Sequence, residues 1–286
     1  MRLGVVGICS DFRTLNQQEI DAVQELEFTG ISYHFASSNI PGVSSDECDN
    51  CRFLLEKAQL DLVQFGITYE QCLFDPNPSI RQAAIEAVNC GMPVAKDLGA
   101  FHYLFRPGSL NPDGAWTSHK DNHLPESMDR LIETLKPIAE NAEKNELTLV
   151  METHAVSIMG SPEICKNIVD QVGSERLRIV MDFVNHFQSL RQVYNSDVRL
   201  NHIFDVMGPV APMAHIKDIS VQNGLVLHLN EEVPGEGELE IGVALQRFDA
   251  LYPDGYGLIE HLPIEKIPLA NTNVRNIAAE NGISIY

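Results

Sequence analysis

Short apolar runs alternate with longer stretches of helical periodicity along the whole chain. In the longer stretches, apolar residues recur every three or four positions, as on the buried face of a helix. Strands that alternate with helices pair in parallel and are joined by crossover helices. The pattern predicts eight strands, at residues 3–8, 30–35, 61–67, 100–105, 147–152, 178–182, 212–218 and 256–261.

Local signals predict where two of the intervening helices lie. Ser161 followed by Pro162 is typical of an N-cap and a first helical residue, and Gly173 is placed to end that helix. The longest helical pattern covers residues 125–145 and contains Pro137, which we expect to kink or break it. These lengths fit crossover helices between parallel strands.

The predicted fold is of the α/β class, a single (β/α)8 TIM barrel that covers residues 1–286 with its active site at the C-terminal face. Such a barrel needs about 250 residues, and no linker rich in Gly, Ser or Pro divides the chain. An open doubly wound sheet is the competing architecture, but no Gly-rich phosphate-binding loop follows the first strand. The irregular stretches 106–124 and 219–240 follow strands four and seven, so both are expected on the C-terminal face.

Charge and hydropathy narrow the classes of partner. The chain carries 40 acidic and 20 basic residues, a formal net charge of −20. This charge repels phosphate backbones, since nucleic-acid-binding proteins use basic residues to displace counterions. No apolar run approaches the roughly 20 residues that cross a bilayer, and the amino terminus lacks the long apolar region of a signal peptide. We therefore expect a cytoplasmic protein that binds neither nucleic acid nor membrane.

Four apolar strands in the second half of the chain each end in a residue that can bind a metal ion. In a barrel the ends of successive strands meet at one rim, so the four side chains are expected to lie together. Carboxylates buried together raise one another's pKa, and a divalent cation among them removes this conflict. Three oxygen ligands and one imidazole favour Mn²⁺ or Mg²⁺, with Co²⁺ or Zn²⁺ as alternatives. The expected metal ligands are Glu152, Asp182, His215 and Glu260.

Several segments around these residues resemble the xylose-isomerase-like barrel superfamily. They are METH, RIVMDFVNH, MAHIKD, PGEGELEIG and GLIEH, and the likeness follows the strand order over nearly the whole chain. The superfamily includes ketose 3-epimerases, hydroxypyruvate isomerases, keto-inositol dehydratases and an apurinic endonuclease. The resemblance implies one metal ion on the four expected ligands. It also implies a small-molecule carbohydrate partner and a homodimer or homotetramer.

The resemblance further implies a sugar isomerase or epimerase that transfers a proton through a metal-stabilised enediolate of a keto-sugar or related polyol. Glu152 and Glu260 are then both metal ligands and catalytic acid/base residues. Which of them removes the proton and which returns it stays open.

Six further residues are expected to bind substrate at the same rim. His154 and Lys217 lie two positions beyond an expected ligand, on the same side of the strand. Arg106 is suited to bind a carboxylate or phosphate group, and Lys217 to bind an oxyanion, a phosphate or an acidic neighbour such as Asp218. Buried histidines bonded to the backbone and surface arginines are the structural alternatives. The six are His102, Arg106, His154, Asn185, His186 and Lys217.

Two positions depart from the ketose 3-epimerase pattern. Asn185 stands where those enzymes commonly have a histidine, and Ile158 stands where they usually have a second glutamate six residues after Glu152. A lyase that dehydrates a keto-inositol or a 3-keto-sugar derivative therefore remains an alternative, since it begins with the same enolisation.

An apurinic endonuclease is a remote alternative. That enzyme binds three zinc ions and needs an Asp-x-His pair, whereas residues 219–231 contain only His228. Asn185 also replaces one of its histidine ligands. A barrel that binds a sugar without turnover, or that serves as a structural subunit, is the non-catalytic alternative.

Overall fold

The computed structural model describes residues 1–286 and confirms the predicted (β/α)8 barrel. Each of the barrel strands overlaps the segment predicted for it. The strands are β1 (Arg2–Val6), β2 (Gly30–Ala36), β3 (Asp61–Thr68), β4 (His102–Phe105), β5 (Leu149–Met151), β6 (Leu177–Met181), β7 (Met213–Ile216), β8 (Asp218–Val221), β9 (Leu229–Glu232) and β10 (Tyr256–Ile259).

Eight of these strands close into a parallel barrel in the order β1-β10-β7-β6-β5-β4-β3-β2. The other two, β8 and β9, form a separate antiparallel hairpin directly after β7. This hairpin corrects the prediction that residues 219–240 are irregular. Each of its strands has only four residues, and although β8 (DISV) alternates between polar and apolar residues, β9 (LNEE) does not.

The helices surround the barrel, and none combines the length and the apolar character needed to cross a bilayer. Ser161 caps α6 as predicted by accepting a hydrogen bond from Ile164 N, and Gly173 ends it with φ +74°. The helix α5 continues through Pro137 without a break. The α-helices are α1 (Gln17–Glu25), α2 (Ser45–Ala58), α3 (Pro78–Cys90), α4 (Met92–Asp97), α5 (Pro125–Asn145), α6 (Pro162–Val172), α7 (Leu190–Val193), α8 (Ser196–Met207), α9 (Ile241–Leu251) and α10 (Ile267–Glu280).

A small apolar cluster fills the inside of the barrel, apart from the larger core between strands and helices. Its buried members are Val63, Leu104, Val150, Val180, Met213, Tyr256 and Leu258. Residues two apart on a strand face the same side, so the next position on five of these strands also points inward, toward the C-terminal rim. Those five positions are Arg106, Glu152, Asp182, His215 and Glu260.

A register shift between β2 and β3 brings polar side chains into the same interior. Ile31 pairs with Leu62 and Ser32 with Gln64, so Val63 is the extra residue of a β-bulge. Because of the bulge, Val63 packs in the inner cluster while Gln64 also reaches the interior and contacts His215.

The hairpin is fastened to the loop that follows it by the buried carboxylate of Asp218. Its two oxygens accept hydrogen bonds from the backbone N–H groups of Ile219, Gly235, Gly237 and Leu239 at 2.8–3.2 Å. A Cβ on Gly237 would lie 2.3 Å from Asp218 Oδ1, and Gly235 has φ +85°. Glycine is therefore required at both positions, for close approach and for left-handed backbone respectively.

We predict that Asp218→Ala destabilises the protein by about 2–4 kcal/mol, because backbone donors inside the loop lose their acceptor. Thermal unfolding measures this change, and hydrogen exchange should show faster exchange at the amides of residues 219–239. Asp170→Ala is the matched control, since Asp170 is half-exposed and pairs only with Lys166 on the surface of α6. Equal stability of the two variants would contradict the prediction.

Candidate metal centre

Four side chains converge at the C-terminal ends of adjacent barrel strands. They belong to β5, β6, β7 and β10, which are neighbours in the barrel order. Each offers one ligand atom, and these atoms all lie within 4.8 Å of one another. Asp182, His215 and Glu260 are buried, and Glu152 is partly accessible. Parallel pairing and strand alternation together place all of them at one point.

The imidazole of His215 is oriented so that one nitrogen faces the carboxylates. Its Nε2 lies 2.9 Å from Gln64 Oε1, so this nitrogen carries the proton and donates to the amide oxygen. Gln64 in turn donates to Ser32 Oγ at 3.0 Å. The other nitrogen, Nδ1, lies 2.9 Å from Glu260 Oε1 and 3.5 Å from Asp182 Oδ2.

The donor set fits a divalent cation. Three buried atoms at the centre have no hydrogen-bond partner with acceptable geometry, namely Asp182 Oδ1, His215 Nδ1 and Glu260 Oε1. An imidazole lone pair that faces two carboxylates is repelled by them unless a positive charge lies between. Carboxylate oxygens with a single imidazole suit Mn²⁺ or Mg²⁺.

Lys217 supplies part of the positive charge at the centre. Its buried Nζ lies 2.7 Å from Asp182 Oδ2 and 2.6 Å from Glu260 Oε1. Burial lowers the pKa of this lysine, but the two carboxylates outweigh burial and raise it above its usual range. The structure places Lys217 beside acidic residues, which was one of the two expectations for it. These residues are Asp182 and Glu260 of the candidate centre rather than Asp218.

The titration behaviour of the centre reflects its excess negative charge. Burial raises the pKa of Glu152 to about 7, and the nearby Glu260 adds to this effect. Burial alone would lower the pKa of His215, but Glu260 and Asp182 outweigh it and raise the pKa to about 10. The carboxylates thus attract positive charge to His215, and a bound cation would provide that charge in place of a proton.

Besides Lys217, two of the expected substrate-binding residues lie near the centre. His154 and Asn185 line a cavity of about 250 Å³ together with Glu231 from the hairpin. The His154 ring lies 5.8 Å from the ring of Trp116. Asn185 donates to the carbonyl of Thr153 at 3.0 Å, which fixes its amide at the cavity wall.

His186 and His102 do not reach the rim. His186 is fully buried, with Nε2 3.0 Å from Thr153 Oγ1, so it supports the loop after β5 from behind. His102 is the first residue of β4, and its Nδ1 lies 3.1 Å from the carbonyl of Val63. One side chain is buried behind a loop and the other lies at the N-terminal end of β4, so the contact with substrate expected of both residues stays a prediction.

Arg106 lies at the rim, as expected from the sequence. Its guanidinium donates to the carbonyl of Tyr69, and its own carbonyl accepts from the Tyr69 hydroxyl. The guanidinium carbon also lies 5.5 Å from the centre of the Tyr69 ring.

Four polar residues at the barrel interior and mouth were not predicted from the sequence. Ser32 and Gln64 form the chain behind His215, and their polar character inside apolar strands was the available signal. The His34 side chain is accessible to solvent, but it lies within the mouth of the barrel, where desolvation lowers the pKa of its imidazole. His261 has φ +57° and lies 3.3 Å from Glu231, which no sequence pattern indicated.

Comparison with known proteins extends these observations. The family model described as "Xylose isomerase-like TIM barrel" matches residues 20–273. No curated protein matches the chain. Among solved structures, a 3-keto-D-glucoside 4-epimerase from E. coli has a TM-score of 0.71 at 12% identity, covering 96% of this chain and 99% of the other.

Two further structures show the same fold. A probable 3-DHS dehydratase from Bacillus anthracis has a TM-score of 0.71 at 14% identity, covering 96% of this chain and 99% of the other. A xylose isomerase-like TIM barrel protein from Mycobacterium smegmatis, in complex with magnesium, has a TM-score of 0.70 at 14% identity, covering 98% and 96%. At these identities the likeness establishes the fold alone.

We predict that Gln64→Leu weakens Mn²⁺ binding by about 10–100-fold, because His215 loses the acceptor that fixes its orientation. Titration of Mn²⁺ followed by electron paramagnetic resonance measures the affinity. Thr134→Val serves as the control, since it removes a buried polar group of α5 whose hydroxyl bonds only to its own helix. A stably folded Gln64→Leu protein with unchanged Mn²⁺ affinity would refute the role of this hydrogen bond.

Proposed function

Because this chain belongs to the xylose isomerase-like TIM barrel family, we propose that it is a divalent-metal-dependent isomerase or epimerase. The proposed substrate is a keto-sugar or a related polyol. The observation that carries the proposal is the convergence of four ligand atoms within 4.8 Å of one another at the barrel rim. Glu152, Asp182, His215 and Glu260 would hold the ion, with Mn²⁺ or Mg²⁺ favoured by the oxygen-rich set and Co²⁺ or Zn²⁺ as alternatives.

When bound, the ion would supply Lewis acidity to the carbonyl and a neighbouring hydroxyl of the substrate. Glu152 and Glu260 belong to β5 and β10, which are separated in the barrel by β6 and β7. They therefore approach a substrate at the rim from two sides. One carboxylate removes the proton beside the carbonyl to give an enediolate, and the other returns a proton.

The residues around the two glutamates have supporting roles in this proposal. Lys217 stays paired with Asp182 and Glu260, and so limits the repulsion among the carboxylates. His154 and Asn185 offer hydrogen bonds to substrate hydroxyl groups from the wall of the adjoining cavity. Trp116 packs beside His154, with the two ring centres 5.8 Å apart, and offers an aromatic face at the same wall.

A lyase is the second candidate, and Ile158 favours it. Ile158 is 2% exposed and packs in the apolar core, so no second glutamate stands at that position of the loop after β5. The amide of Asn185 cannot transfer a proton either. Both features reduce the likeness to a ketose 3-epimerase, and a dehydratase is among the similar folds. Dehydration would start from the same enediolate, and the hydroxyl group of the next carbon would leave as water together with the proton removed beside the carbonyl.

We predict that the Mn²⁺-loaded protein exchanges deuterium from solvent into the carbon next to the carbonyl of its keto-sugar substrate. Glu152→Gln should lower the exchange rate by about 10²–10⁴-fold, because the amide cannot accept the proton. Proton NMR of a panel of ketoses, 3-keto-sugars and inosones measures the exchange. In the same spectra an isomer or an epimer is distinguished from a dehydrated product.

The control for this experiment is His202→Gln on the exposed face of α8, where His202 pairs only with Glu163. Mn²⁺ affinity is measured for each variant, so that loss of the ion is separated from loss of the base. Wild-type exchange in Glu152→Gln would remove this residue from the mechanism. An absence of both metal binding and exchange in the native protein would leave the sugar-binding barrel as the remaining interpretation.

A further inference from the structure

Arg106 is an inward-facing arginine that has no carboxylate partner. The N–H of Glu152 donates to the carbonyl of Phe105 at 3.0 Å. Arg106 is the next residue after Phe105, so it lies beside the strand that carries Glu152. No carboxylate oxygen lies within 4.0 Å of its guanidinium, although the chain has 40 acidic residues. A half-buried cation without a counterion is unfavourable unless something else supplies the negative charge.

The guanidinium is directed away from the metal centre and is held in place. It extends to the end of β3, where one amino nitrogen donates to the carbonyl of Tyr69 and the group lies 5.5 Å from the Tyr69 ring. Its Nε is buried without a hydrogen-bond partner, and its Nη1 donates to no group of the protein. An arginine with free donors and a fixed stem is suited to a planar or tetrahedral oxyanion.

Open space lies on both sides of this arginine. Arg106 lines one cavity of about 720 Å³ toward the loop after β4 and another of about 410 Å³ toward the end of β2. Glu70 lines both cavities and Asp75 lines the larger one, so Arg106 is the one basic residue among two acidic residues in these walls. Hydroxyl and amide groups complete the polar walls, among them Ser37, Ser38, Thr68, Ser109 and Asn111.

The charges of the proposed centre leave Arg106 unbalanced. Three carboxylates give −3, Lys217 gives +1 and a divalent ion gives +2, so the centre sums to zero. This sum rests on the proposed function, because it includes the bound ion. With the centre neutral, the charge of Arg106 remains available to a ligand.

We propose that Arg106 binds an anionic group, a carboxylate or a phosphate, at the end of the substrate farthest from the metal centre. The Tyr69 end of β3 and the Glu152 end of β5 are two strand spacings apart, about 10 Å. A substrate of hexose length spans that gap with its carbonyl at the centre and its terminal group at Arg106. The substrate class is then an acidic or phosphorylated keto-sugar rather than a neutral one.

Three ketoses that differ only at C6 test this assignment. D-fructose carries a hydroxyl there, D-fructuronate a carboxylate, and D-fructose 6-phosphate a phosphate. Calorimetry with the Mn²⁺-loaded protein measures the Kd of each. We expect at least one of the two anions to bind ten-fold or more tightly than D-fructose, and the preferred anion identifies the terminal group.

The variant Arg106→Met should bring the ratio of the D-fructose Kd to the anion Kd to about one, because the charge-assisted contacts with the anion are lost. Arg106→Lys should retain part of the preference, which guards against a variant that fails to fold. Arg52→Met is the matched control, since it removes an exposed arginine from α2 on the outside of the barrel.

Equal binding of the three ketoses, no binding of either anion, or a preference that survives in Arg106→Met would overturn the assignment. These outcomes are separable from failure of the proposed function, because Mn²⁺ affinity and deuterium exchange are measured on the same samples. A protein that binds Mn²⁺ and exchanges deuterium but lacks the anion preference would keep its proposed function and lose only this role for Arg106.

Discussion

The structure depends on one electrostatic constraint: three carboxylates, at the ends of β5, β6 and β10, share one site with His215 from β7 and need positive charge among them. Alternation along parallel strands makes this crowding unavoidable once Glu152, Asp182 and Glu260 each occupy the inward position above the apolar cluster. Lys217 supplies one positive charge through contacts of 2.6–2.7 Å. The same carboxylates raise the pKa of His215 to about 10, against the effect of burial. A cation at this position relieves the repulsion that the fold itself creates.

The orientation of His215 has its origin in a backbone irregularity on the far side of the barrel. The β-bulge at Val63 lets two consecutive residues of β3 face the interior, one apolar and one polar. Gln64 then reaches across to His215 and is itself held by Ser32. Thus β2 and β3, which contribute no ligand, decide which imidazole nitrogen faces the carboxylates.

The strands and the four candidate ligands could be predicted because both follow from periodicity. Each ligand comes two positions after an apolar inward residue, and this pattern is visible without coordinates. The placement of His102 and His186 at the rim could not be judged in this way. Their positions depend on where β4 begins and on how the loop after β5 packs, and neither has a periodic signature.

Gln64 was not predicted for a similar reason, since a single polar residue in an apolar strand does not indicate a bulge. The hairpin after β7 is held by hydrogen bonds from backbone N–H groups to the side chain of Asp218, and a four-residue strand is too short to predict such a network.

The carboxylate of Asp218 closes residues 218–239 into a loop fastened at both of its ends. Its neighbour Lys217 remains in the barrel interior, separated from this fastening by one peptide bond. The tip at residues 222–228, where Leu225 and Val226 are exposed, lies outside this fastening. We expect changes of length or composition there to leave Lys217 in place, because exposed loop tips tolerate such changes.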